Sequence, residues 1–334
     1  MQPVKHPVAR LLIHLTLILF VLYSIMPFVW TALQSLKTVR QANARTPLFF
    51  FTPTFKNYSE LWLTQPSESV GNTVLGIFAI VALLVLLVIW AERLPVANGI
   101  LYGGVFIAFI VLLWAVPRLL DTAEFYDYFV NTMIVTVGTI LVSISIGALA
   151  GYGLARYSGI ASVVILIAAL AFRALPRLAF VLPYFWLGRA TGLYDTHALL
   201  IITLVAVNQP FTIWMLRSFF MDIPKEIEEA AMVDGAGRLV AFWRVIIPIM
   251  WPGIVSTALF TLLLAYNEFL LVRVLTQSNW TLPVAIAQFT GGEDPGHITL
   301  ASAAAVSATI PIVFVILFFQ KQLVKGLAAG AVKG

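Results

Sequence analysis

The chain of 334 residues contains no cysteine, so it can form neither a disulfide nor a thiolate metal or redox site. Histidine is also scarce, and the positions of the four copies show no metal-ligand spacing: His6, His14, His197 and His297. We therefore expect neither a metal centre nor a bound cofactor.

Charged residues are also scarce. Only 10% of the residues are charged, whereas soluble domains carry about 25%. Hydrophobic residues make up 61%, and the mean hydropathy is +0.97. The net charge of +5 does not indicate nucleic-acid binding, because the basic residues form no stripe with aromatic residues and instead flank apolar runs. This composition predicts a membrane protein.

Signatures of catalysis are missing as well. The chain has no GxxxxGK[ST] phosphate-binding loop, and no Ser/His/Asp set or carboxylate pair rises above chance spacing. The longest polar stretches are about 30–40 residues, which is too short for a soluble domain with its own core. We therefore expect the chain not to be an enzyme.

Long apolar runs dominate what is present. A helix that crosses the bilayer needs about 20 apolar residues, and on this rule the chain has about eight candidate spans. The runs cover residues 11–33, 73–90, 98–116, 129–151, 161–187, 199–215, 252–272 and 300–319. The fold class is thus predicted to be an all-α polytopic membrane protein. The placement of Lys and Arg favours an orientation with both termini in the cytoplasm.

A polar loop at 222–248 separates two of these runs. Glu226, Glu228 and Glu229 suit the positive end of a helix dipole, and Gly235 suits a left-handed helix end. A second run from Arg238 is expected to be cut off by Pro248. These residues alone are compatible with an amphipathic surface helix and equally with a docking helix for another protein.

The residues of this loop resemble a known signature. Glu229-Ala230-Ala231, followed by Asp234-Gly235-Ala236, is similar to the EAA motif of ABC-importer permeases. Further matches follow in register over most of the chain: Ser35-Leu36-Lys37, Asn131-Thr132, Gly153-Leu154-Ala155-Arg156, Tyr266-Asn267-Glu268-Phe269 and Thr281-Leu282-Pro283. Together they resemble the carbohydrate branch of the superfamily, in particular the MalG-like second permease of maltose-type systems. Residues 1–334 are thereby identified as a single permease domain.

The resemblance implies a function and a set of partners. The EAA helix of such permeases docks into a cytoplasmic ATPase subunit dimer, which hydrolyses the ATP. Glu229 would then pair with basic groups of the ATPase, Ala230 and Ala231 would permit close approach, and Asp234, Gly235 and Ala236 would form the turn. The other implied partners are a MalF-like second permease and an extracytoplasmic solute-binding protein, all at a prokaryotic inner membrane.

One segment departs from the family pattern. Permeases of this branch have a six-helix core of the type I importer kind, and residues 65–121 add a helical hairpin to it. Both of its helices are apolar all round, which is typical of helices covered by lipid or by other spans. We expect this insertion to be peripheral to the core.

Polar residues inside spans mark the candidate translocation pathway, because charge is costly there. Arg173 and Arg177 stand one helical turn apart on one face of their span, with a bend expected at Pro176. Asn267 and Glu268 lie mid-span in a neighbouring core helix. These residues would line the pathway, or Glu268 would form a structural ion pair with one arginine. Two arginines would also suit an anionic solute such as a sugar phosphate, a sulfonate or a glycosyl acid.

A different class, the ion-coupled secondary transporter, would need inverted repeats or proton-relay carboxylates, and neither is visible. A smaller expectation concerns Gly147 and Gly151, whose GxxxG spacing favours close packing of two helices.

Overall fold

The computed structural model describes residues 7–64, 120–157, 159–290 and 297–331. Between 65 and 119 it describes only positions 80, 83, 104, 107, 108, 111, 112 and 114–118. Most of the predicted insertion at 65–121, with the apolar runs at 73–90 and 98–116, therefore lies outside the described residues.

Within the described ranges the secondary structure is helical apart from one isolated β-bridge. The helices are α1 (Pro7–Ser35), α2 (Val39–Ala42), α3 (Lys56–Trp62), α4 (Glu124–Arg156), α5 (Ile160–Arg173), α6 (Leu178–Thr191), α7 (His197–Met221), α8 (Lys225–Val233), α9 (Arg238–Ala241), α10 (Ile247–Tyr266), α11 (Leu270–Leu275), α12 (Leu282–Thr290) and α13 (His297–Ala331). A π-helical turn, Phe242–Ile246, connects α9 to α10 without interruption.

Five of the described stretches are long and apolar enough to cross a membrane: Leu11–Ser35, Glu124–Arg156, His197–Met221, Arg238–Tyr266 and His297–Gln320. A sixth crossing results if the bent pair α5 and α6 counts as one span. These stretches coincide with the apolar runs predicted outside the insertion, so the all-α polytopic fold is confirmed.

The span at 161–187 is broken, and α5 and α6 meet at 91°. The bend predicted at Pro176 is thus confirmed. Proline lacks an N–H and disfavours the α conformation of the residue before it. The expectation that Arg173 and Arg177 share one helix face is wrong, because Arg173 ends α5 and Arg177 precedes the first residue of α6.

A second break replaces the continuous run predicted at 252–272. α10 ends at Tyr266, and α11 begins at Leu270. The prediction that Asn267 and Glu268 lie within a helix is therefore wrong. The Asn267 side chain donates to the carbonyl of Leu263 over 2.8 Å, and the same carbonyl accepts the backbone N–H of Asn267 over 3.3 Å.

The chain forms two compact units. One holds the residues up to Asp127 together with Ile286–Ala308, and the other holds Tyr128–Ala285 with the residues from Thr309 onward. They are described one after the other.

Helix α4 lies parallel to α7 in the second unit. A Cβ at Gly147 would lie 2.8 Å from Thr212 Cγ2, and a Cβ at Gly151 would lie 3.0 Å from the backbone nitrogen of Arg217. The close packing predicted from GxxxG is therefore confirmed. The Ser143 hydroxyl also donates a hydrogen bond to Gln209 Oε1 over 2.8 Å. Such bonds stabilise helix packing in membranes, where the hydrophobic effect does not drive helices together.

Helix α10 lies antiparallel to α7. A Cβ at Gly253 would lie 2.8 Å from Phe219, and the hydroxyls of Thr212 and Thr261 are 3.3 Å apart. α7 thus packs directly against both α4 and α10.

In the first unit, the loop after α1 is held by Asn57. Its Nδ2 donates to the carbonyls of Ser35 and Lys37, at 2.7 and 2.8 Å. Lys37 is buried, and its Nζ lies 4.4 Å from the centre of the Trp30 ring. Burial lowers the pKa of Lys37.

The two ends of the predicted insertion meet in this unit. Leu63 and Thr122 form an isolated antiparallel bridge, and the backbone N–H of Thr64 donates to the carbonyl of Asp121 over 2.9 Å. The chain therefore leaves and re-enters the unit at neighbouring backbone atoms.

Candidate functional site

The loop at 222–248 is built around α8, whose end is a Schellman motif. Gly235 has φ +87°, a left-handed conformation that favours glycine. Its N–H donates to the carbonyl of Met232, and the N–H of Ala236 donates to that of Ala231, both over 3.0 Å. The left-handed helix end predicted at Gly235 is confirmed, and it fixes the direction in which the chain leaves α8.

The predicted docking residues lie along α8 and this turn. Glu229, Ala230, Asp234 and Gly235 are exposed, while Ala231 and Ala236 are half-buried.

Two apolar side chains of the same loop, Val233 and Leu239, are 88% and 70% exposed. Large apolar side chains exposed at the tip of an ordered loop are typical of a contact surface. Neither residue was predicted from the sequence, where the loop resembles a polar helix with small residues.

The opposite side of α8 is tied to α4 through Glu228, which is only 7% exposed. Arg156 Nε donates to Glu228 Oε2 over 2.8 Å, and the Tyr152 hydroxyl donates to Glu228 Oε1. From the sequence, Glu228 was expected only to interact with the helix dipole. Its inward position depends on Tyr152 and Arg156, which lie 76 and 72 positions away in the chain.

Beyond the Schellman turn, one continuous helix begins at Arg238 and ends at Tyr266. The expected interruption at Pro248 is wrong. The N–H of Ile247 donates to the carbonyl of Phe242, and this widened π turn accommodates the missing N–H and the ring of Pro248. At about 1.5 Å per residue, the 29 residues extend about 43 Å from the loop.

At the far end of this helix, the break at 267–269 meets the break between α5 and α6. Arg177 Nη1 forms an ion pair with Glu268 Oε2. The Glu268 side chain is 4% exposed and that of Arg177 is 37% exposed. Glu268 Oε1 also accepts the N–H of Leu271 over 3.2 Å, so the same carboxylate caps α11.

The structure does not join the other two predicted pathway residues to this pair. The guanidinium of Arg173 lies 4.6 Å from the centre of the Phe211 ring, and within the described part of the chain its Nη1 has no hydrogen-bond partner. Asn267 is exposed, and its side chain donates to the carbonyl of Leu263. Of the four residues, Arg177 and Glu268 are brought together.

A third polar cluster lies between α6 and α7 and was not found from the sequence. Asp195 has φ +61°, and its carboxylate accepts the backbone N–H groups of Gln277, Ser278 and Asn279 at 2.9, 3.0 and 3.3 Å. Partial burial by itself raises the pKa of Asp195, but the hydrogen bonds from Ser278, Gln277 and Asn279 outweigh it and lower the pKa to about 2. The cluster holds the segment that follows α11.

Several apolar spans make this a multi-pass membrane protein, and broken helices that meet at polar groups are typical of membrane transport proteins. Comparison with known proteins identifies the family. The model for "Binding-protein-dependent transport system inner membrane component" matches residues 143–329, so the chain belongs to that family. Within it, the chain is an ABC-transporter permease similar to those of the carbohydrate branch, as the sequence resemblance predicted.

Two relatives illustrate the match. The trehalose transport system permease protein SugB of Mycobacterium tuberculosis is 38% identical over 218 residues, which are 62% of this chain and 78% of that protein. The trehalose/maltose transport system permease protein MalG of Thermococcus litoralis is 36% identical over 217 residues, 64% and 77% of the two chains.

A solved structure shares the fold. A chain from the crystal structure of a bacterial ABC transporter involved in the import of the acidic polysaccharide alginate superimposes with a TM-score of 0.66. The superposition covers 96% of this chain and 99% of the other chain, with 18% sequence identity.

Proposed function

We propose that this chain is the transmembrane permease subunit of an ATP-driven importer and that α8 is its coupling helix. The proposal rests on two features of α8: one of its faces is exposed, and the turn at its C-terminal end has a fixed conformation. The Schellman turn at Gly235 leads directly into the helix that ends at Tyr266. A force applied to α8 would reach the Arg177–Glu268 pair through this continuous helix.

In this proposal the loop at 222–248 and both termini face the cytoplasm, where a separate ATPase subunit dimer hydrolyses ATP. Glu229 pairs with basic groups of the ATPase, and Ala230 and Ala231 let its surface approach closely. Val233 and Leu239 add apolar contact area. A second, MalF-like permease completes the pore, and an extracytoplasmic binding protein delivers the solute.

The proposed pathway passes the two facing helix breaks. Breaks in membrane helices expose backbone and polar groups that a solute can contact. Closure of the ATPases moves α8 and the helix from Arg238 to Tyr266, and this movement changes the environment of Arg177 and Glu268 between the two access states. The ion pair itself adds no net charge to the pathway.

A carbohydrate or glycoside is the solute class we propose. Both relatives described above are named as sugar-transport permeases. The alternative of an anionic solute rests on two free arginines, and Glu268 neutralises one of them. Arg173 alone keeps that alternative open, since its Nη1 has no hydrogen-bond partner in the described ranges.

The coupling assignment is tested by Glu229→Lys in the full complex. Reversing this exposed charge is expected to abolish co-purification of the ATPase subunit and ATP-driven uptake. The control is Glu60→Lys, which alters an exposed glutamate on α3 paired with Lys56 at 3.2 Å. If Glu229→Lys left both the complex and ATP-driven uptake intact, the proposal would be wrong.

The energy source and the solute are tested in proteoliposomes that contain the whole complex. Uptake is expected to need internal ATP and to persist when ionophores collapse ion gradients. Uptake that followed an ion gradient without ATP would instead support a secondary transporter. Labelled neutral disaccharides and anionic glycosides are offered side by side, and preference for the anionic set would replace the proposed solute class.

A further inference from the structure

We propose that Glu228, Tyr152 and Arg156 form a linkage that transmits the movement of α8 to the spans, as a function separate from the docking assigned to Glu229. This inference rests on the proposed role of α8 as the coupling helix. The three side chains are positioning residues, since they act through helices and touch no solute.

Adjacent glutamates on α8 have opposite environments. Glu229 is exposed, whereas Glu228 is buried and binds two groups of α4. Its two carboxylate oxygens have different partners, Tyr152 on Oε1 and Arg156 on Oε2. Charge-assisted hydrogen bonds of this kind are stronger than neutral ones, so Glu228 attaches α8 firmly to α4.

Arg156 extends the linkage to α7. Its Nη1 donates to the carbonyls of Phe220 and Ile223, at 3.3 and 3.2 Å. These carbonyls lie at the C-terminal end of α7, where backbone acceptors lack helical partners and a cation is favourable. One guanidinium therefore joins the end of α4, the end of α7 and α8.

Tyr152 extends the linkage to the long helix. Its ring lies 4.8 Å from the ring of Phe242 and 5.6 Å from that of Phe220, measured between centroids. Phe242 is buried and opens the π turn that continues into α10. Tyr152, which binds the Glu228 carboxylate, thus contacts side chains at the end of α7 and in the π turn that leads into α10.

The geometry therefore separates two tasks on neighbouring residues. Glu229 faces outward to a partner, and Glu228 faces inward to the spans. Loss of the inward contacts leaves the outward surface in place, so the ATPases still bind while their closure no longer moves the helices together.

Two conservative substitutions test this. Tyr152→Phe removes only the hydroxyl and keeps the ring packing on Phe220 and Phe242. Glu228→Gln keeps the size of the side chain and removes its charge. Tyr157→Phe is the matched control, because Tyr157 is an exposed tyrosine just beyond the end of α4.

The measurements use the full complex in proteoliposomes: co-purification of the ATPase subunit, the rate of ATP hydrolysis, and solute taken up per ATP hydrolysed. We expect both variants to retain the ATPase subunit and to hydrolyse ATP. Uptake per ATP is expected to fall about tenfold, the size that loss of one hydrogen bond to a charged group supports. Tyr157→Phe is expected to match the unaltered protein.

The outcomes separate this inference from the proposed function. Unchanged uptake per ATP in both variants would overturn the linkage and leave the coupling assignment standing, provided that Glu229→Lys still releases the ATPase. Loss of the ATPase subunit or of the folded permease in Tyr152→Phe would show that the cluster serves assembly, which also overturns the inference. A failure of the Glu229→Lys test removes the proposed function and this inference with it.

Discussion

The hydroxyl of Ser278 donates to the carboxylate of Asp195 over 2.6 Å, although the two residues are 83 positions apart in the chain. Asp195 adopts a left-handed backbone conformation, and Asn279 Nδ2 donates back to its carbonyl over 2.6 Å. A carboxylate that collects successive backbone N–H groups resembles the anion nests of turns, with the anion supplied by the protein itself. The segment after α11 is thereby held to the end of α6.

The first prediction concerns the charge of Asp195. Asn tolerates the left-handed conformation, so Asp195→Asn isolates the loss of the carboxylate. We expect a destabilisation of about 1–3 kcal/mol near neutral pH, the usual contribution of hydrogen bonds to a charged group. Thermal unfolding of the purified permease in detergent measures it, with Glu60→Gln as a control that removes an exposed ion pair.

The effect of Asp195→Asn on stability is expected to depend on pH. The folded pKa of about 2 lies below the ordinary value of 3.8. The stabilisation is therefore complete above the unfolded value and is lost as the pH falls from about 4 through 2. The difference in unfolding temperature between Asp195→Asn and the unaltered protein is expected to shrink over this window. A difference that stayed constant down to pH 2 would contradict the assignment.

The second prediction concerns Arg177 and Glu268. Arg177→Met leaves the buried Glu268 carboxylate without its cation, and removal of one partner of a buried pair costs about 3–5 kcal/mol. The figure is an upper bound here, because Arg177 is partly exposed. Arg177→Met with Glu268→Gln is expected to recover most of the stability in thermal unfolding.

Uptake by the double variant then distinguishes two roles for the pair. Restored stability with lost uptake assigns Arg177 and Glu268 to the pathway. Restored stability with restored uptake makes the pair purely structural, which would contradict the proposed pathway.

The third prediction concerns the contact between α4 and α7. Gly147→Ala places a Cβ at 2.8 Å from Thr212 Cγ2, in a cluster whose hydroxyls are already hydrogen-bonded. We expect a loss of about 1–3 kcal/mol from overpacking, read from the unfolding temperature. Gly153→Ala is the matched control on the same helix, since its Cβ would meet no atom within 4 Å. It is expected to be neutral or to stabilise by up to about 1 kcal/mol. Equal effects of the two substitutions would contradict the packing.

The fourth prediction concerns the insertion. Because Thr64 and Asp121 are hydrogen-bonded neighbours, residues 65–120 are expected to be replaceable by Asn-Gly, the preferred sequence of a two-residue hairpin turn. Assembly with the partner subunits and uptake are expected to survive, as measured by co-purification and transport. An assembled complex without transport would show that the insertion takes part in transport.

Local sequence patterns revealed those parts of the fold that local chemistry determines. The apolar runs located the described spans, Pro176 located the bend between α5 and α6, and Gly235 located the left-handed end of α8. In each case the signal and its effect lie within a few residues of each other. The close packing at Gly147 and Gly151 was also predictable from local sequence, because the absence of side chains there allows any neighbouring helix to approach closely.

The parts that were missed depend on distant residues. The break after Tyr266 was missed because it is stabilised by Arg177, 91 positions away from Glu268. Pro248 was expected to end a helix, and the π turn that accommodates it cannot be predicted from proline alone. The inward position of Glu228 becomes clear only with Tyr152 and Arg156 in place.

The bridge between Leu63 and Thr122 has a consequence for how such a chain can change over time. The backbone leaves at Thr64 and returns at Asp121, next to where it left, so the segment between them can lengthen, shorten or be exchanged while α4 keeps its starting point and direction. Recombination at this position would add material to the permease without altering the register of any helix downstream. The same position offers an engineer a place to attach a reporter domain.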